Sequence, residues 1–553
     1  MESSFLESFR CSIINNWDNP ALTDYKSTTF TYKDVARKIA KIHILLEQCG
    51  IEQGDKVALV GKNSSNWAVA YIATLSYGAV LVPILHEFTP EGIHHIVNHS
   101  EAKLLFIGEA IWENVNPAQM IHLTAIFSLG DFKLLHGRNA KAEYARENLN
   151  KLFGERYPNV FKKEDIIFHK EKPEDLAIIS YTSGTTSQSK GVMLPYRSLY
   201  SNLLFAEAVM NLKARHNVVV MLPMAHMYGM AFEFFYEFCT GVHLHFLTRT
   251  PSPKVIFDAF AEIKPDLIVS VPLVIEKIFQ KQIQPVIDKK MIKTLLSIPV
   301  LDSVVTDKIG KQLSDAFGGN FYEVIIGGAA FNREADLFFH RMQFRYTVGY
   351  GMTECGPIIA YADWREFKPF SCGKVAPRME MKIDSSDPQN VPGEILVRGE
   401  NVMLGYYKNA EMTKEIFTED GWMKTGDLGV IDEDGFLYIK GRRKTMILSS
   451  NGQNIYPEEI ESSINTMEYV SESLVLDAGG GRLEAIIYPD MDATDKDGLS
   501  YNQIEKIMEK HRVELNATLP AYSQITRIRI TTEEFAKTPK RTIRRYLYQL
   551  NKE

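Results

Sequence analysis

Cysteine is scarce in this sequence: the 553 residues include only five, and no two of them stand at Cys-x-x-Cys spacing. Zinc sites and disulfide frameworks are therefore not expected, and a reducing compartment suits the chain. No run of about 18 apolar residues could cross a bilayer, and no signal peptide is recognisable at the start. The formal net charge of −7 argues against a dedicated nucleic-acid binder. We therefore expect a soluble cytoplasmic protein.

Two common catalytic motifs are missing as well. No Gly-x-Ser-x-Gly sequence is present, so the nucleophile elbow of the α/β-hydrolases is not supported. The Walker phosphate loop is excluded because, counted from Gly184, it would need glycine at Ser189 and serine or threonine at Gly191. The chain is also too long for a single core, so about two to four domains are expected.

A stretch rich in hydroxyl groups stands where a Walker loop could have been. Residues 181–190 read Tyr-Thr-Ser-Gly-Thr-Thr-Ser-Gln-Ser-Lys and follow an apolar run, residues 176–180, which predicts a buried strand. Backbone N–H groups and hydroxyls in such a loop can surround phosphate oxygens, with the lysine as counter-charge. The carboxyl end of a strand is also where open α/β sheets bind ligands. Taken alone, the pattern is more often an ordinary loop.

Short apolar segments alternate with helical segments over most of the chain. This pattern predicts an α/β fold with parallel sheets covered by helices on both faces. After about residue 390, apolar and polar residues alternate instead, which predicts half-exposed antiparallel strands. A helix is predicted at 66–77, and strands at 57–60, 79–83, 104–107, 218–222, 267–271, 323–326, 393–398 and 435–440.

Three further segments carry side chains that suit a nucleotide. The small residues 327–330 follow a predicted strand, so a flat ring could approach the backbone there. Residues 350–354 supply an aromatic face, a hydroxyl and the carboxylate of Glu354, an oxygen ligand of the kind that Mg²⁺ binds. Asp427 lies in a predicted tight turn and could accept from both ribose hydroxyls. Singly, each segment is explained as well by a tight turn or a solvated carboxylate.

Together and in this order, these motifs resemble those of the adenylate-forming (AMP-binding) superfamily. This group includes acyl-CoA synthetases, firefly luciferases and the adenylation domains of peptide synthetases. The resemblance runs from about Phe30 to Arg545, and within the superfamily it is strongest to bacterial long-chain fatty acid–CoA ligases. Four further segments carry it, at residues 222–226, 264–272, 438–444 and 451–459.

The resemblance implies a two-step reaction with ATP, Mg²⁺ and coenzyme A. The carboxylate of a medium- to long-chain fatty acid would attack the α-phosphate of ATP and release pyrophosphate, and coenzyme A would then displace AMP to give acyl-CoA. Glu354 would bind the metal. The implied catalytic residues are Lys190, His226, Thr353, Glu354 and Lys540. Those implied in binding ATP or coenzyme A are Thr182, Ser183, Gly184, Thr185, Thr186, Lys190, Gly328, Ala329, Tyr350, Gly351, Thr353, Asp427, Arg442 and Gly452.

The resemblance also assigns places around the bound nucleotide. Tyr350 would lie against adenine, with Gly328 and Ala329 on its other side, while Asp427 and Arg442 would hold the ribose hydroxyls. Thr353 would contact the α-phosphate, and residues 450–454, which include Gly452, would approach the pantetheine arm of coenzyme A. In the phosphate loop, Ser187 replaces a usual glycine and Ser189 a usual proline.

The acyl side of the predicted site depends on His226 and the residues after it. A lone histidine is often structural, but His226 follows Leu-Pro at the end of a predicted strand, where the family places a residue beside the acyl carboxylate. We favour a role in substrate gating. Residues 230–239 form an aromatic-rich stripe that is typical of a core, and the family uses the equivalent helix to line the acyl pocket.

The domain organisation also follows from the resemblance. A large N-terminal domain of helix-covered sheets with a β subdomain would cover residues 1–441, and a small, mobile α+β domain would cover 446–553. The hinge would lie at 442–445, within a charged cluster, with Lys444 as the pivot. A hinge residue absorbs a large φ/ψ change between the two reaction steps.

One departure from the family pattern lies near the C-terminus. Relatives carry Lys-Thr-x-x-Gly-Lys-Ile, whose last lysine bridges the carboxylate and the α-phosphate, whereas residues 537–543 read Lys-Thr-Pro-Lys-Arg-Thr-Ile. Thr542 therefore stands at the position of that lysine. In an extended segment, residues 540 and 542 point to one face, so Lys540 is a candidate substitute, with Arg541 and Arg544 as alternatives.

Two other functions stay open from the residues alone. The acceptor of the acyl group could be a carrier-protein phosphopantetheine instead of coenzyme A. The chain could also be a half-active binder of acyl groups and nucleotides, because of Thr542. No nucleic-acid partner and at most peripheral membrane contact are expected.

Overall fold

The computed structural model describes residues 4–138, 140–182, 189–248, 252–449, 453–479, 482–538 and 543–548. Its centre is an eight-stranded sheet whose middle strands are parallel and whose edges are antiparallel. In spatial order the strands are Gly405–Tyr406, Lys190–Pro195, Leu176–Thr182, Val80–Ile84, Lys56–Val60, Leu104–Ile107, Ala125–Ser128 and Leu134–Gly137.

Two further sheets lie next to each other. One has four strands, in the order Asn217–Val220, His243–Phe246, Pro20–Asp24 and Thr29–Thr31. The other has three parallel strands, Ile268–Ser270, Val324–Ile326 and Tyr346–Val348. A parallel bridge between Val218 and Leu267 joins the two sheets, so that their carboxyl ends open on the same side.

The later part of the chain is built from antiparallel strands, as the alternating pattern predicts. One sheet contains Tyr350–Gly351, Ile358–Tyr361 and Lys374–Val375, and the next contains Met379–Asp384, Gly393–Gly399, Met423–Ile431 and Leu437–Arg442. Beyond them, Ile447–Leu448 pairs with Asn454–Ile455, and a last sheet contains Val470–Asp477, Leu483–Pro489 and Ile525–Ile530.

Helices cover these sheets and begin at recognisable caps. The Thr31 side chain and Asp34 form a capping box at the start of Tyr32–Gln48, and the Ser64 hydroxyl accepts from an N–H of Ser65–Tyr77. The other α-helices are Phe5–Asn15, Pro90–His99, Glu109–Trp112, Ala140–Glu147, Leu149–Arg156, Tyr196–Val209, Met227–Met230, Tyr236–Thr240, Pro253–Ile263, Pro272–Ile278, Gln284–Ile287, Lys290–Leu296, Pro299–Ala316, Arg333–Arg341, Ala410–Ile416, Pro457–Ile464, Met491–Lys496 and Tyr501–Asn516.

The predicted α/β class is confirmed, and the predicted strands lie within a few residues of the observed ones. Two differences concern the site. The strand predicted at 218–222 ends at Val220, which leaves Met221 and Leu222 outside it. The hydroxyl-rich loop leads into a second strand, Lys190–Pro195, which is antiparallel to the first because so short a connection cannot join parallel neighbours.

The aromatic-rich stripe is core, as such stripes usually are. Between Met227–Met230 and Tyr236–Thr240 the chain makes a π-helical turn, Ala231–Phe235, and the phenylalanines in and after it are fully buried. The ring of Phe235 meets Phe5 edge to face at 5.2 Å, and Phe238 stacks on Phe9 at 5.5 Å. These contacts attach the first helix to the centre of the molecule.

The C-terminal part has a hydrophobic core of its own. Its buried residues include Ile447, Ile464, Leu483, Met508 and Ile525, which pack with one another and not with the main core. Among the described residues, no helix is both long and apolar enough to cross a membrane. The domain and hinge boundaries remain a prediction.

Candidate active site

The two ends of the hydroxyl-rich loop are set by paired strands. Thr182 ends one strand, Lys190 begins the next, and the two residues are partners in the ladder. Ser183, Gly184, Thr185 and Thr186 lie outside the described residues. Before the loop, the buried Tyr181 places its hydroxyl 2.7 Å from Nδ1 of His99, which anchors this end. The loop is therefore held at both ends by the central sheet.

Lys190 is half-buried and faces the aromatic ring of Tyr406. Its Nζ lies 5.3 Å from the ring centroid, within the range of a cation–π contact. Burial lowers the pKa of Lys190, the positive charge of Lys444 lowers it further, and the carboxylate of Glu354 acts in the opposite direction. An ammonium group in such a place gains by binding anionic oxygens.

Glu354 lies in a short 3-10 turn, Thr353–Cys355, next to the same tyrosine. The Tyr406 hydroxyl donates to Oε1 of Glu354 at 3.0 Å, and the backbone N–H of Met403 donates to the Glu354 carbonyl at 2.9 Å. Before the turn, a Cβ on Gly351 would stand 2.4 Å from the Pro357 carbonyl oxygen, so only glycine fits there. Tyr406 thus orients the carboxylate of Glu354 and packs below Lys190.

Asp427 is the centre of a second group of polar side chains. It lies opposite Arg442 in adjacent strands, with Arg442 Nε 3.1 Å from Oδ1. On the other side, the Tyr350 hydroxyl donates to Oδ2 at 2.6 Å. Burial raises the pKa of Asp427, and Arg442 partly offsets the rise. A carboxylate has about four acceptor positions, so Asp427 can still accept from ligand hydroxyls.

The segment 350–354 joins these two groups, because Glu354 accepts from Tyr406, whose ring lies against Lys190, and Tyr350 donates to Asp427. The negative charge of Glu354 also affects the pKa values of Lys190, Asp427 and Arg442. Thr353, directly before Glu354, is buried. The structure therefore brings together most of the described residues that the motifs single out.

The small residues 327–330 contact an aromatic residue that the sequence analysis does not identify. A Cβ on Gly327 would stand 2.9 Å from Cζ of Tyr228, whose hydroxyl donates to the carbonyls of Ser270 and Ile325. Gly328 has a φ of +90° and, with Ala329, is exposed. The first glycine thus makes room for Tyr228, and the next two residues leave the backbone open to a planar ring.

His226 caps the helix Met227–Met230 and is half-buried. Its Nδ1 accepts the backbone N–H of Tyr228 at 3.2 Å. In the neutral ring the proton is therefore on Nε2, which can donate a hydrogen bond to an acid. The residue stands near the carboxyl end of Asn217–Val220, the position that the Leu-Pro sequence predicts.

The C-terminal lysine segment is anchored on both sides. Lys537 pairs with Ile543 in an antiparallel bridge, and its Nζ lies 2.8 Å from Glu472. Arg545 pairs with Glu461, whose other oxygen accepts from the Val475 N–H at 2.6 Å. Lys540, Arg541, Thr542 and Gly452 lie outside the described residues, so their predicted roles stay predictions.

A magnesium ion fits the residues present. Among the described residues, no group of three or more His, Cys, Asp or Glu side chains could hold a metal. Mg²⁺ bound with a nucleotide needs fewer protein ligands, because phosphates and water fill most of its coordination positions. Tyr406 engages one oxygen of Glu354, and among the described residues the other oxygen has no hydrogen bond, so Glu354 can serve as that ligand.

Comparison with known proteins identifies the superfamily. The profile of the AMP-binding enzyme family matches residues 13–407, and that of the AMP-binding enzyme C-terminal domain matches 444–550. The long-chain-fatty-acid–CoA ligase FadD15 of Mycobacterium bovis is 28% identical over 496 residues, covering 85% of this chain and 79% of the relative. Rat ACSBG1, also a long-chain-fatty-acid–CoA ligase, is 27% identical over 473 residues, covering 79% of this chain and 63% of the relative.

Solved structures share the fold over almost the whole chain. ATP-bound MatB from Rhodopseudomonas palustris superposes with a TM-score of 0.76 at 21% identity, covering 99% of this chain and 98% of that one. At this identity the likeness concerns the fold alone, and it confirms the α/β architecture expected from the sequence.

Proposed function

Because the chain belongs to the AMP-binding enzyme family, we propose that it is an Mg²⁺- and ATP-dependent ligase that joins a medium- to long-chain fatty acid to coenzyme A. One observation carries the proposal: the segment 350–354 contacts both groups, Glu354 through Tyr406 beside Lys190, and Tyr350 through the Asp427–Arg442 pair. The fatty-acid class is supported by the names of relatives that are 27–28% identical to this chain.

In the first step, an oxygen of the fatty-acid carboxylate attacks the α-phosphorus of ATP. The bond to the bridging oxygen breaks, and pyrophosphate leaves with Lys190 as counter-charge. Mg²⁺ bound at Glu354 would neutralise negative charge on the phosphates. Asp427 and Arg442 hold the ribose hydroxyls, and His226 donates a hydrogen bond from Nε2 to the carboxylate oxygen that does not attack. Little covalent chemistry falls to the protein, so positioning and charge carry the rate.

In the second step, the thiolate of coenzyme A attacks the acyl carbonyl of the acyl-adenylate, and AMP leaves. We propose that residues 446–553 form a mobile domain that turns about residues 442–445 between the two steps, and that residues 450–454 then contact the pantetheine arm. The Thr445 hydroxyl donates to Glu458 at 2.6 Å, and Lys440 lies 3.7 Å from Glu459. These contacts are candidates to break and re-form when the domain turns.

The proposed function is tested by pyrophosphate release from Mg-ATP with fatty acids of C4 to C18, with and without coenzyme A. We expect release to peak at one chain length and to need coenzyme A for turnover. The proposal would be contradicted if no acid gave pyrophosphate release, or if adding an acid left the release unchanged.

The carrier-protein alternative is tested in the same assay with a holo-acyl carrier protein as acceptor. Thioester formation on the carrier and not on coenzyme A would favour it. Binding of ATP and acid without pyrophosphate release would favour the half-active binder that Thr542 suggests. A cytoplasmic location and at most peripheral membrane contact are part of the proposal.

A further inference from the structure

The backbone that carries His226 is held by two polar side chains from distant parts of the chain. Asn63 lies between the strand Lys56–Val60 and the helix Ser65–Tyr77, and its Nδ2 donates to the Leu222 carbonyl at 2.6 Å. Its Oδ1 accepts the Met224 N–H at 2.9 Å. The amide therefore bridges the backbone of residues 222 and 224, and 159 positions separate Asn63 from Leu222 in sequence.

The second side chain is the carboxyl of Glu233, which approaches the same backbone from the core. Its Oε2 accepts the N–H groups of Met221 at 3.0 Å and Leu222 at 2.7 Å, directly after the strand Asn217–Val220 ends. Glu233 lies in the π-helical turn Ala231–Phe235, and such turns often occur at functional sites. Glu233, which lies after His226 in the chain, thus binds the backbone that precedes His226.

Burial of the Glu233 carboxyl lowers the stability of the fold, which indicates that its position matters. The residue is fully buried, and among the described residues its Oε1 has no hydrogen-bond partner. Burying such a group costs stability unless its hydrogen bonds compensate. Here the two N–H groups that it accepts would be orphaned without it, because the strand that could have paired them ends at Val220.

Four hydrogen bonds thus fix residues 221–224, two from each side chain. The turn is also tightly packed, since a Cβ on Gly229 would stand 2.7 Å from the Pro223 carbonyl oxygen. His226 follows directly, and its N–H donates to the same carbonyl at 3.0 Å. A shift of the turn would therefore move the imidazole.

We propose that Asn63 and Glu233 form a clamp that positions His226 against the carboxylate of the acid substrate. Both are positioning residues, since they act on the substrate only through the 222–226 turn. The inference rests on the function proposed above, in which His226 Nε2 donates to the acid. It adds two residues to the acid-binding side of the site and none to the nucleotide side.

The test compares Asn63→Ala with a matched control, Asn66→Ala. Asn66 lies three residues away and donates to the carbonyls of Leu129 and Gly130 at 2.8 and 2.7 Å. Asn66→Ala therefore removes similar hydrogen bonds, but from a different segment of the backbone. We expect Asn63→Ala to lower kcat/KM for the acid by about 10- to 100-fold, because small displacements near the reacting groups are costly. The KM for ATP should stay within about twofold, and Asn66→Ala should change neither constant by more than that.

A double mutant separates positioning from general destabilisation. In a His226→Ala background, Asn63→Ala should cost less than about twofold further, because the group that it positions is gone. Equal losses in both backgrounds, or equal effects of Asn63→Ala and Asn66→Ala, would overturn the inference while leaving the proposed function intact. A wild-type protein that releases no pyrophosphate with any acid would overturn both.

Glu233 is tested by Glu233→Gln and Glu233→Leu. The glutamine carbonyl can still accept both N–H groups, so this variant should keep kcat/KM for the acid within about threefold of wild type. Leucine cannot accept them, so the KM of Glu233→Leu for the acid should rise while its KM for ATP should not. Loss of acid binding in the glutamine variant as well would contradict the clamp. If Glu233→Leu does not fold, the Asn63 and Glu233→Gln measurements still decide.

Discussion

The nucleotide side and the acid side of the proposed site are held in place in different ways. On the nucleotide side, the residues expected to touch ATP bind one another through their side chains, as Tyr350, Asp427 and Arg442 do. On the acid side, His226 is positioned through its backbone, which Asn63 and Glu233 hold. The residues proposed for the nucleotide side therefore all lie in motifs, whereas the acid side also depends on residues outside the motif that contains His226.

This difference predicts where mutations should act. Substitutions on the nucleotide side should raise the KM for Mg-ATP or lower kcat for every acid. Substitutions on the acid side should change only the kinetic constants for the acid. A substitution on one side that changed the constants for the other substrate would show that the two sides are coupled more tightly than their hydrogen bonds indicate.

Lys190→Ala should have the largest effect. It removes the counter-charge for the leaving pyrophosphate, and the loss of one preorganised charge donor typically costs about 10²–10³ in rate. The measurement is pyrophosphate release with saturating acid, and the fold is checked by thermal melting. A loss that varied with the chain length of the acid would contradict a purely nucleotide-side role.

Lys444→Pro should separate the two half-reactions. Proline fixes φ at its own position and restricts the residue before it, so it should hinder one of the two domain arrangements. We expect pyrophosphate exchange and thioester formation to differ in their losses by about tenfold or more, equivalent to about 1.4 kcal/mol. Equal loss in both assays would argue against Lys444 as a pivot.

Tyr406→Phe should weaken Mg²⁺ binding while keeping the ring below Lys190. It deletes the hydroxyl that donates to Glu354, and residues that orient a metal ligand typically contribute about 10- to 100-fold in affinity. Calorimetric titration of the ATP-loaded protein with Mg²⁺ gives the affinity directly, without reference to turnover. The matched control is Tyr407→Phe, whose hydroxyl instead contacts Glu101 at 3.3 Å. Equal Mg²⁺ affinity in the two variants would exclude this role for Tyr406.

Thr542→Lys should have the smallest effect, and this effect should be an increase in activity. Restoring the family's lysine should raise the adenylation rate by roughly tenfold, below the 10²–10³ of a donor in a fully preorganised site. If Lys540 supplies the charge at present, Lys540→Ala should lower the rate in the native chain and much less in the Thr542→Lys background. An unchanged rate in Lys540→Ala would point to Arg541 or Arg544.

The residues alone were sufficient for the α/β class, for most strand positions and for the order of the nucleotide motifs. Apolar runs and alternating patterns reflect burial along a single segment, so they can be interpreted without knowledge of the neighbours. Short motifs also predict Asp427, Tyr350 and Glu354 as nucleotide-binding residues, and that assignment stays a prediction.

The contacts of Tyr406, Tyr228, Asn63 and Glu233 depend on the assembled sheets. Tyr406 reaches Glu354 across 52 positions, and Asn63 reaches Leu222 across 159, because segments that belong to different sheets and are distant in sequence come together in the fold. A lone asparagine or a glutamate in an aromatic stripe carries no local signal of its partner. Pairing of this kind is set by how strands are ordered in space, which the periodicity of one segment cannot encode.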